Sequence, residues 1–566
     1  MHNCLTVPEL LGILFEWIFQ DAVQGSAALA ALAGTCRLFS PVALDILWSS
    51  QINLVPLVKL FPSDIVDQEA ASDGYNIVSL KRAPELEEWS RFLHYASRIK
   101  CIGRHYPQCP PVVELQRVDP RTYSILCDYR PSGHFFSNLR LFEWKQGDAN
   151  AVHEVDHLLL LIHPKVSNMS IHLMEPLNDD ILVARLEAAL GQFNDNCTFL
   201  EDLTFTCPWT SPLSDMISNI VLRHKRLRSV YLYQHIDTLM LRESMLHISG
   251  LTSLEKLTIR ADRYGGIGSA LHTMLQGSDL TFPSLRQLVI YADILTAASM
   301  FIDAVKSPKL LSIYTVTAFS PSATEMEEFG RRLGKHPSKA VIGSLTFGCG
   351  TSIPREHEEP FITGDSLRPY LALPSIHECK IGVRRPMVVD NAFVQDLAKA
   401  WPRLQTLDLG VQWRRYTGEP EVTLKGLIPL VRHCPDLQML GIAVSTDVSE
   451  VRATEEEPRP SGGYSNGNVW AFSVGTSILE RVTPGDRIVL ATYLADIFPR
   501  LRLLSTVWSR TEVQENIEED ELSPAESELW GEVGKLVKEL ARIRRQENKW
   551  VEQEAETKMI EIAKQN

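Results

Sequence analysis

The feature that most constrains the fold is a short apolar pattern that recurs between residues 137 and 508. Each copy has an apolar residue, two others, a second apolar residue, one other and a third apolar residue. In WPRLQTLDLG these positions are Leu404, Leu407 and Leu409. The spacing of 25 to 34 residues is close to that of proteins that stack one strand and one helix per repeat. The thirteen copies start at Leu139, Val166, Leu200, Leu227, Leu254, Leu285, Leu310, Ile342, Ile376, Leu404, Leu437, Val469 and Leu501.

The pattern predicts one parallel strand per copy. Alternate side chains of a strand share a face, so Leu407 and Leu409 point inward while Thr406 and Asp408 point outward. Amphipathic stretches between the copies, such as residues 179–193, predict helices. Stacked strand–helix units bury the apolar faces that a single unit leaves exposed. The predicted class is therefore α/β, a curved solenoid with a parallel sheet on its concave side and helices on its convex side.

A doubly wound α/β domain is the alternative, because it also alternates strands and helices. Thirteen units without a phosphate-binding glycine loop favour the solenoid. Gly266 and Gly268 follow a predicted strand, but Leu271 occupies the place of a third glycine. His357 lies among carboxylates in REHEEP, which indicates a solvated charge cluster. No catalytic residue and no cofactor is predicted.

Composition excludes further classes. A net charge of −14 argues against binding to a phosphate backbone, which needs a basic surface. The longest aliphatic run, residues 158–162, is too short to span a membrane. Cys101, His105 and Cys109 match no standard zinc pattern, so no metal site is predicted. Ten scattered cysteines without a signal peptide indicate a reducing compartment, the cytoplasm or the nucleus.

Residues 1–50 predict three short helices. Thr6 can cap the first of them, and Pro8 lies in its first turn, where a missing N–H costs nothing. So small a module cannot bury all of its leucine and aromatic surface, and part of that surface should meet a partner. The apolar residues of the first helix are Leu10, Leu11, Leu14, Phe15 and Ile18.

Three stretches of this module resemble the F-box family. VPELLGILFEWI is similar to the opening of an F-box, TCRLF to its Val-Cys-Arg-x-Trp segment and LDILW to its closing Leu-Trp. The sequence departs from the family pattern at Val7, Thr35 and Phe39. A plain helical cap for the solenoid is the alternative, since terminal repeats need capping. Together with the repeats behind it, the module is similar to F-box proteins with C-terminal leucine-rich repeats.

This resemblance implies a function in ubiquitin transfer. F-box proteins are substrate receptors of SCF-type E3 ubiquitin ligases, and their F-box docks on the adaptor subunit that connects them to the cullin. The implied partners are that adaptor, the cullin and a protein substrate that the sequence does not identify. The chain itself would not be an enzyme. The implied adaptor-binding residues are Pro8, Leu10, Leu11, Leu14, Cys36, Arg37 and Trp48.

The rest of the chain divides into three segments. Residues 51–136 are predicted to form a helical linker, 137–508 the solenoid, and 509–566 an acidic segment followed by a helix over 525–562 that covers the last repeat. Residues 348–366 and 449–468 are rich in Gly, Pro and charge, which predicts loops. Such loops are either recognition elements or tolerated insertions.

The outward positions of the central strands form the predicted substrate surface. Aromatic and arginine side chains in a row are typical of interface hot spots. A ladder of tyrosines with only a packing role is the alternative. A repeat scaffold without a ligase, or an enzyme on an unusual α/β fold, remain the rival functions. The predicted substrate-binding residues are Tyr231, Tyr233, Lys256, Arg260, Tyr291 and Tyr314.

Overall fold

The protein is described from a computed structural model, which divides into two compact units, Met1–Leu257 and Thr258–Asn566. The chain is a mixed α/β protein in which most strands are parallel. The residues that the structure describes are 7–21, 24–71, 74–103, 116–131, 133–145, 151–173, 180–206, 213–233, 238–261, 280–352, 361–383, 385, 387–410, 419–475, 477–506 and 524–565.

The described α-helices are α1 Pro8–Phe19, α2 Gly25–Ala33, α3 Phe39–Leu47, α4 Val55–Val58, α5 Trp89–Ala96, α6 Pro120–Asp128, α7 Ala151–Leu161, α8 Asp180–Asn196, α9 Ser214–Arg223, α10 Thr238–Ser249, α11 Leu295–Ala304, α12 Ala323–Leu333, α13 Gly364–Leu367, α14 Asn391–Ala400, α15 Ile428–His433, α16 Pro484–Ile497 and α17 Pro524–Gln565. The described strands are β1 Ser50–Gln51, β2 Val66–Ala70, β3 Asn76–Leu80, β4 Cys101–Ile102, β5 Gln116–Val118, β6 Leu141–Lys145, β7 Asn168–His172, β8 Asp202–Thr206, β9 Ser229–Tyr233, β10 Lys256–Ala261, β11 Gln287–Ala292, β12 Ser312–Phe319, β13 Ser344–Ser352, β14 Ile362–Thr363, β15 Glu378–Gly382, β16 Met387–Val388, β17 Thr406–Leu409, β18 Met439–Gly441, β19 Ala471–Ser473 and β20 Leu503–Ser505.

A strand follows every copy of the apolar pattern and begins two residues after its start. The prediction of one strand per copy is therefore confirmed. In β11, Leu288 and Ile290 are buried, while Val289 between them is only half-buried. Leu288 is paired in register with the buried Ile313 of β12, so the inward side chains of adjacent strands lie in line. This alignment gives each strand a continuous apolar row to pack against.

In the first unit, β1, β4, β6, β7, β8 and β9 form a parallel ladder in that order. The apolar pattern does not announce β1 and β4, which precede its first copy. Gly103 follows β4 with a φ of 91°, and a Cβ there would lie 1.8 Å from the carbonyl oxygen of Glu143. Only glycine allows the two strands to approach so closely at that point.

The segment predicted as a helical linker is not purely helical. Besides α4, α5 and α6 it holds β2, β3 and β5, which form a separate three-stranded sheet, and it contributes β4 to the main ladder. Phe61, Trp89, Phe92 and Phe135 build its aromatic core, with ring centroids 5.1–5.3 Å apart in neighbouring pairs. These strands have at most five residues, too few for a clear period-two signal among the helices.

In the second unit the parallel ladder runs β11, β12, β13, β15, β17, β18, β19 and β20. Helices α11, α12, α14 and α16 lie between strands and bury an apolar face. Local signals start them, such as the capping box of Ser322 and Glu325 before α12 and the side-chain cap of Asp390 before α14.

The two predicted loops differ in outcome. Residues 348–352 belong to β13 and 362–367 to β14 and α13, so the loop prediction was wrong there, because β13 extends past its Gly-rich end; residues 353–360 lie outside the described part. Ser449–Val451 form a short 3-10 helix, so the loop prediction for 449–468 is confirmed only for residues 452–468, which form neither helix nor strand. Asn466 holds this loop in place, since its side chain donates to the carbonyl of Cys434 at 2.9 Å.

The C-terminal helix α17 covers the last strand, as predicted. It packs on α16 and β20, with Trp530, Val533 and Val537 buried. The indole Nε1 of Trp530 donates to the carbonyl of Ser477 at 2.9 Å. The acidic run before this helix lies outside the described residues.

Candidate functional site

The three N-terminal helices share a small apolar core. Leu11 and Phe15 of α1, Leu29 of α2 and Ala43 of α3 are its buried members. The ring of Phe15 meets that of Phe39 edge-on, with centroids 5.5 Å apart. Positions 11 and 15 are one helical turn apart, so a single stripe of α1 faces this core and the remaining apolar residues face away.

The outward face of α1 is apolar and exposed. Trp17 is 74% exposed, which is unusual for so large an apolar side chain, and Ile13 is 54% exposed. Five such residues on the three turns of α1, together with Val7 just before it, form a contiguous patch of the kind that binds another protein. The exposed apolar side chains are Val7, Leu10, Ile13, Leu14, Trp17 and Ile18.

The predicted adaptor-binding residues fall into four places. Leu10 and Leu14 lie on the exposed face of α1, and Pro8 is exposed at its start. Half-buried Cys36 and exposed Arg37 lie between α2 and α3.

Leu11 requires a correction, because it is fully buried in the core of the module and contributes no surface to the face of α1. The sequence analysis also missed Ile13 and Trp17 as members of this face. Helical spacing from Leu10 was the signal that could have found Trp17, seven positions further on.

Trp48, the last predicted adaptor-binding residue, ties the module to the sheet. Its ring lies 4.5 Å from that of Tyr95 in α5, and Asp45 forms an ion pair with Arg98. Both Lys100 and Cys101 donate their backbone N–H to the carbonyl of Ser49, at 2.8 and 2.9 Å. Since α3 leads through two residues into β1, these contacts attach the module that carries the exposed face of α1 to the sheet of the first unit.

The second unit holds two of the predicted substrate-binding tyrosines. Tyr291 and Tyr314 lie half-buried on neighbouring strands β11 and β12, at outward positions of the ladder. Burial raises the pKa of Tyr314 to about 12, and Tyr291 adds to the effect. The Tyr314 phenol is therefore neutral at physiological pH and can donate a hydrogen bond to a partner. Arg260, at an outward position of β10, is half-buried.

The first unit holds the other three predicted substrate-binding residues, two tyrosines and a lysine. Tyr231 is half-buried on β9 beside Thr204 of β8, and Lys256 is exposed at the start of β10. Tyr233 ends β9 opposite Thr206, and its side chain lies outside the described part. The register therefore places Tyr231 at an outward position, as expected.

Glu143, Lys145, His172 and Thr206 form a polar cluster on the same sheet face of the first unit. This cluster was not predicted from the sequence. Nζ of Lys145 lies 2.9 Å from Oε1 of Glu143, and Nδ1 of His172 lies 2.9 Å from the hydroxyl of Thr206. Burial lowers the pKa of His172, whereas Glu143 acts in the opposite direction. The signal was available, because these residues are outward positions of the copies that start at 139, 166 and 200.

This cluster brings together a carboxylate, an imidazole and a hydroxyl, but not in the geometry of a catalytic triad. Glu143 Oε1 is 3.8 Å from Nε2 of His172, longer than a hydrogen bond. The carboxylate therefore does not orient the imidazole as the acid of a triad does. The arrangement offers donors and acceptors to a bound surface.

Within the described ranges, no three His, Cys, Asp or Glu side chains converge where a metal could bind. Cys101 is buried, while His105 and Cys109 lie outside those ranges. Among the helices that the structure describes, none combines the length and apolar character needed to cross a membrane.

No protein-family model matches the chain, and no curated protein is significantly similar to it.

Proposed function

We propose that this protein is the substrate-recognition subunit of an SCF-type E3 ubiquitin ligase, with an F-box at its N-terminus and a leucine-rich-repeat solenoid behind it. The F-box binds the cullin adaptor, and the concave sheet face binds the substrate protein. The chain contributes recognition and no catalytic residue. The protein carries out this function in the cytoplasm or the nucleus.

The observation that carries the proposal is the exposed apolar face of α1. A helix that buries Leu11 and Phe15 yet exposes Leu14 and Trp17 needs a partner to remove that second face from water. The sequence resemblance supplies the class of partner. The contacts of Trp48 with Tyr95 and of Asp45 with Arg98 also support the proposal, because a ligase receptor needs its adaptor-binding module attached to its repeats.

The outward face of the sheet supports the second half of the proposal. Tyr291 and Tyr314 are polar-tipped aromatic side chains on neighbouring strands, which is the composition of protein-binding hot spots. The polar cluster around His172 also suits protein recognition, since its side chains can donate hydrogen bonds to a partner protein and accept them from it.

The test is binding of the full chain to the purified adaptor subunit of an SCF ligase. Replacing both Leu14→Ala and Trp17→Ala should weaken binding by roughly a hundredfold or more, because hot-spot truncations cost about 2 kcal/mol or more each. Leu86→Ala is the matched control, since Leu86 is an exposed leucine outside the module and should leave binding unchanged.

Leu11→Ala separates folding from contact. It removes a buried side chain and should destabilise the three-helix module by about 2–5 kcal/mol, whereas the double variant of Leu14 and Trp17 should leave the thermal transition unchanged. Wild-type affinity of the double variant for the adaptor would refute the proposed ligase function. The rival scaffold function predicts that result.

A further inference from the structure

The C-terminal helix α17 continues well beyond the surface that it covers. Its packed stripe ends at Arg544, which donates to the carbonyl of Thr492 at 3.1 Å and pairs with Asp496 at 3.3 Å. Every side chain that the structure describes between residues 545 and 553 is exposed. The helix itself runs on to Gln565.

A second apolar stripe lies along the exposed side of this helix. Leu536, Ile543 and Trp550 are exposed and spaced seven residues apart, which places them on one face. Val551 beside Trp550 is 66% exposed. Exposed apolar residues that recur every seven positions on a helix are typical of the seam of a helix pair, so this stripe indicates a partner helix.

The charges of α17 identify that partner. Residues 535–545 carry five basic side chains and one acidic, whereas residues 546–562 carry five acidic and two basic. A second copy of α17 running antiparallel would place each basic block against the acidic block of the other. A parallel copy would set like charges side by side, which is repulsive.

We infer that two copies of this chain associate through α17 as an antiparallel helix pair. The register that opposes the two charge blocks also brings Ile543 of one copy against Trp550 of the other, on both sides of the crossing. Apolar contact and charge pairing thus select the same alignment. The association does not depend on the proposed ligase function, since α17 and the adaptor-binding face of α1 are separate elements.

The first experiment is sedimentation velocity of the full chain over a wide range of concentration. The wild type should shift from monomer to dimer as concentration rises. A chain with Ile543→Ala and Trp550→Ala should stay monomeric, while Lys549→Ala, which lies off the stripe, should dimerise as the wild type does. At a dilution where all three chains are monomeric, their circular dichroism spectra and melting temperatures should be the same, because no substituted side chain is buried.

The second experiment tests orientation and excludes other partners. One variant makes both blocks basic (Glu547→Lys, Glu552→Lys, Glu554→Lys), and the other makes both acidic (Lys535→Glu, Lys538→Glu, Arg542→Glu). Each alone should be monomeric, and an equimolar mixture should form a heterodimer. A monomeric wild type at all concentrations, or a variant that dimerises alone as well as the wild type, would overturn the inference. A wild-type monomer whose helix binds a different protein would overturn it equally.

Discussion

At the scale of single residues, the imidazole of His224 couples stability to pH. His224 lies buried in the first unit just after α9, and burial together with Arg223 lowers its pKa to about 4. The unfolded imidazole titrates near 6.5, so between these values the unfolded chain binds a proton that the folded chain does not. Stability is complete above pH 6.5 and falls as the pH drops towards 4, by up to about 3 kcal/mol.

The prediction for His224 is a change in slope. His224→Leu removes the titrating group, so its free energy of unfolding should fall less steeply than that of the wild type between pH 6.5 and 4.5. Urea denaturation of both chains across this range measures the slopes. Equal slopes would show that His224 has the same pKa in the folded and the unfolded chain.

Residues of α1 show the limit of sequence reasoning at this scale. The helix is apolar at most positions, so its spacing predicts a helix with an apolar face but does not separate Leu11 from Leu14. Their different burial follows from Leu29 and Ala43, which come from two other helices and reach only one side of α1. Such a division depends on tertiary packing and cannot be read from a local pattern.

At the scale of secondary-structure elements, the closing helix α17 depends on a buried carboxylate. Glu526 is 4% exposed and accepts hydrogen bonds from the backbone N–H groups of Leu479 and Glu480, both at 2.9 Å. These N–H groups belong to the segment between β19 and α16. The carboxylate therefore connects the start of α17 to the last repeat.

Glu526→Ala should destabilise the second unit by about 2 kcal/mol or more, because it leaves two backbone donors unpaired. Glu528→Ala, at an exposed position of the same helix, should change stability by less than about 0.5 kcal/mol. Chemical denaturation of the three chains measures both effects. Equal losses of unfolding free energy in the two variants would show that the hydrogen bonds of Glu526 do not stabilise the second unit.

The strands of the ladders could be predicted from the sequence more completely than the segments that connect them. A strand that packs against helices must repeat inward apolar residues at a fixed spacing, so every copy from Leu139 to Leu501 marks one. β1 and β4 have only two residues each and are fixed by pairing rather than by pattern. β13 extends to Ser352 through glycines that local propensity assigns to a loop, because its neighbours supply hydrogen bonds regardless of side chain.

At the scale of the whole molecule, the proposed function requires two binding surfaces, and a substitution that abolishes binding at one should not affect binding at the other. The apolar face of α1 belongs to the first unit, and the pair of Tyr291 and Tyr314 belongs to the second. Substitutions in one should therefore leave binding at the other intact.

This independence gives the last prediction. A chain with Tyr291→Ala and Tyr314→Ala should bind the purified adaptor as the wild type does, but should lose the proteins that both the wild type and the Leu14 and Trp17 double variant capture from cells. Tyr129→Ala, at an exposed position outside the strands, is the matched control and should lose nothing. Quantitative mass spectrometry of the four captures separates the two surfaces. If the tyrosine variant retains every protein that the wild type captures, the tyrosines have only a packing role and the substrate surface lies elsewhere on the chain.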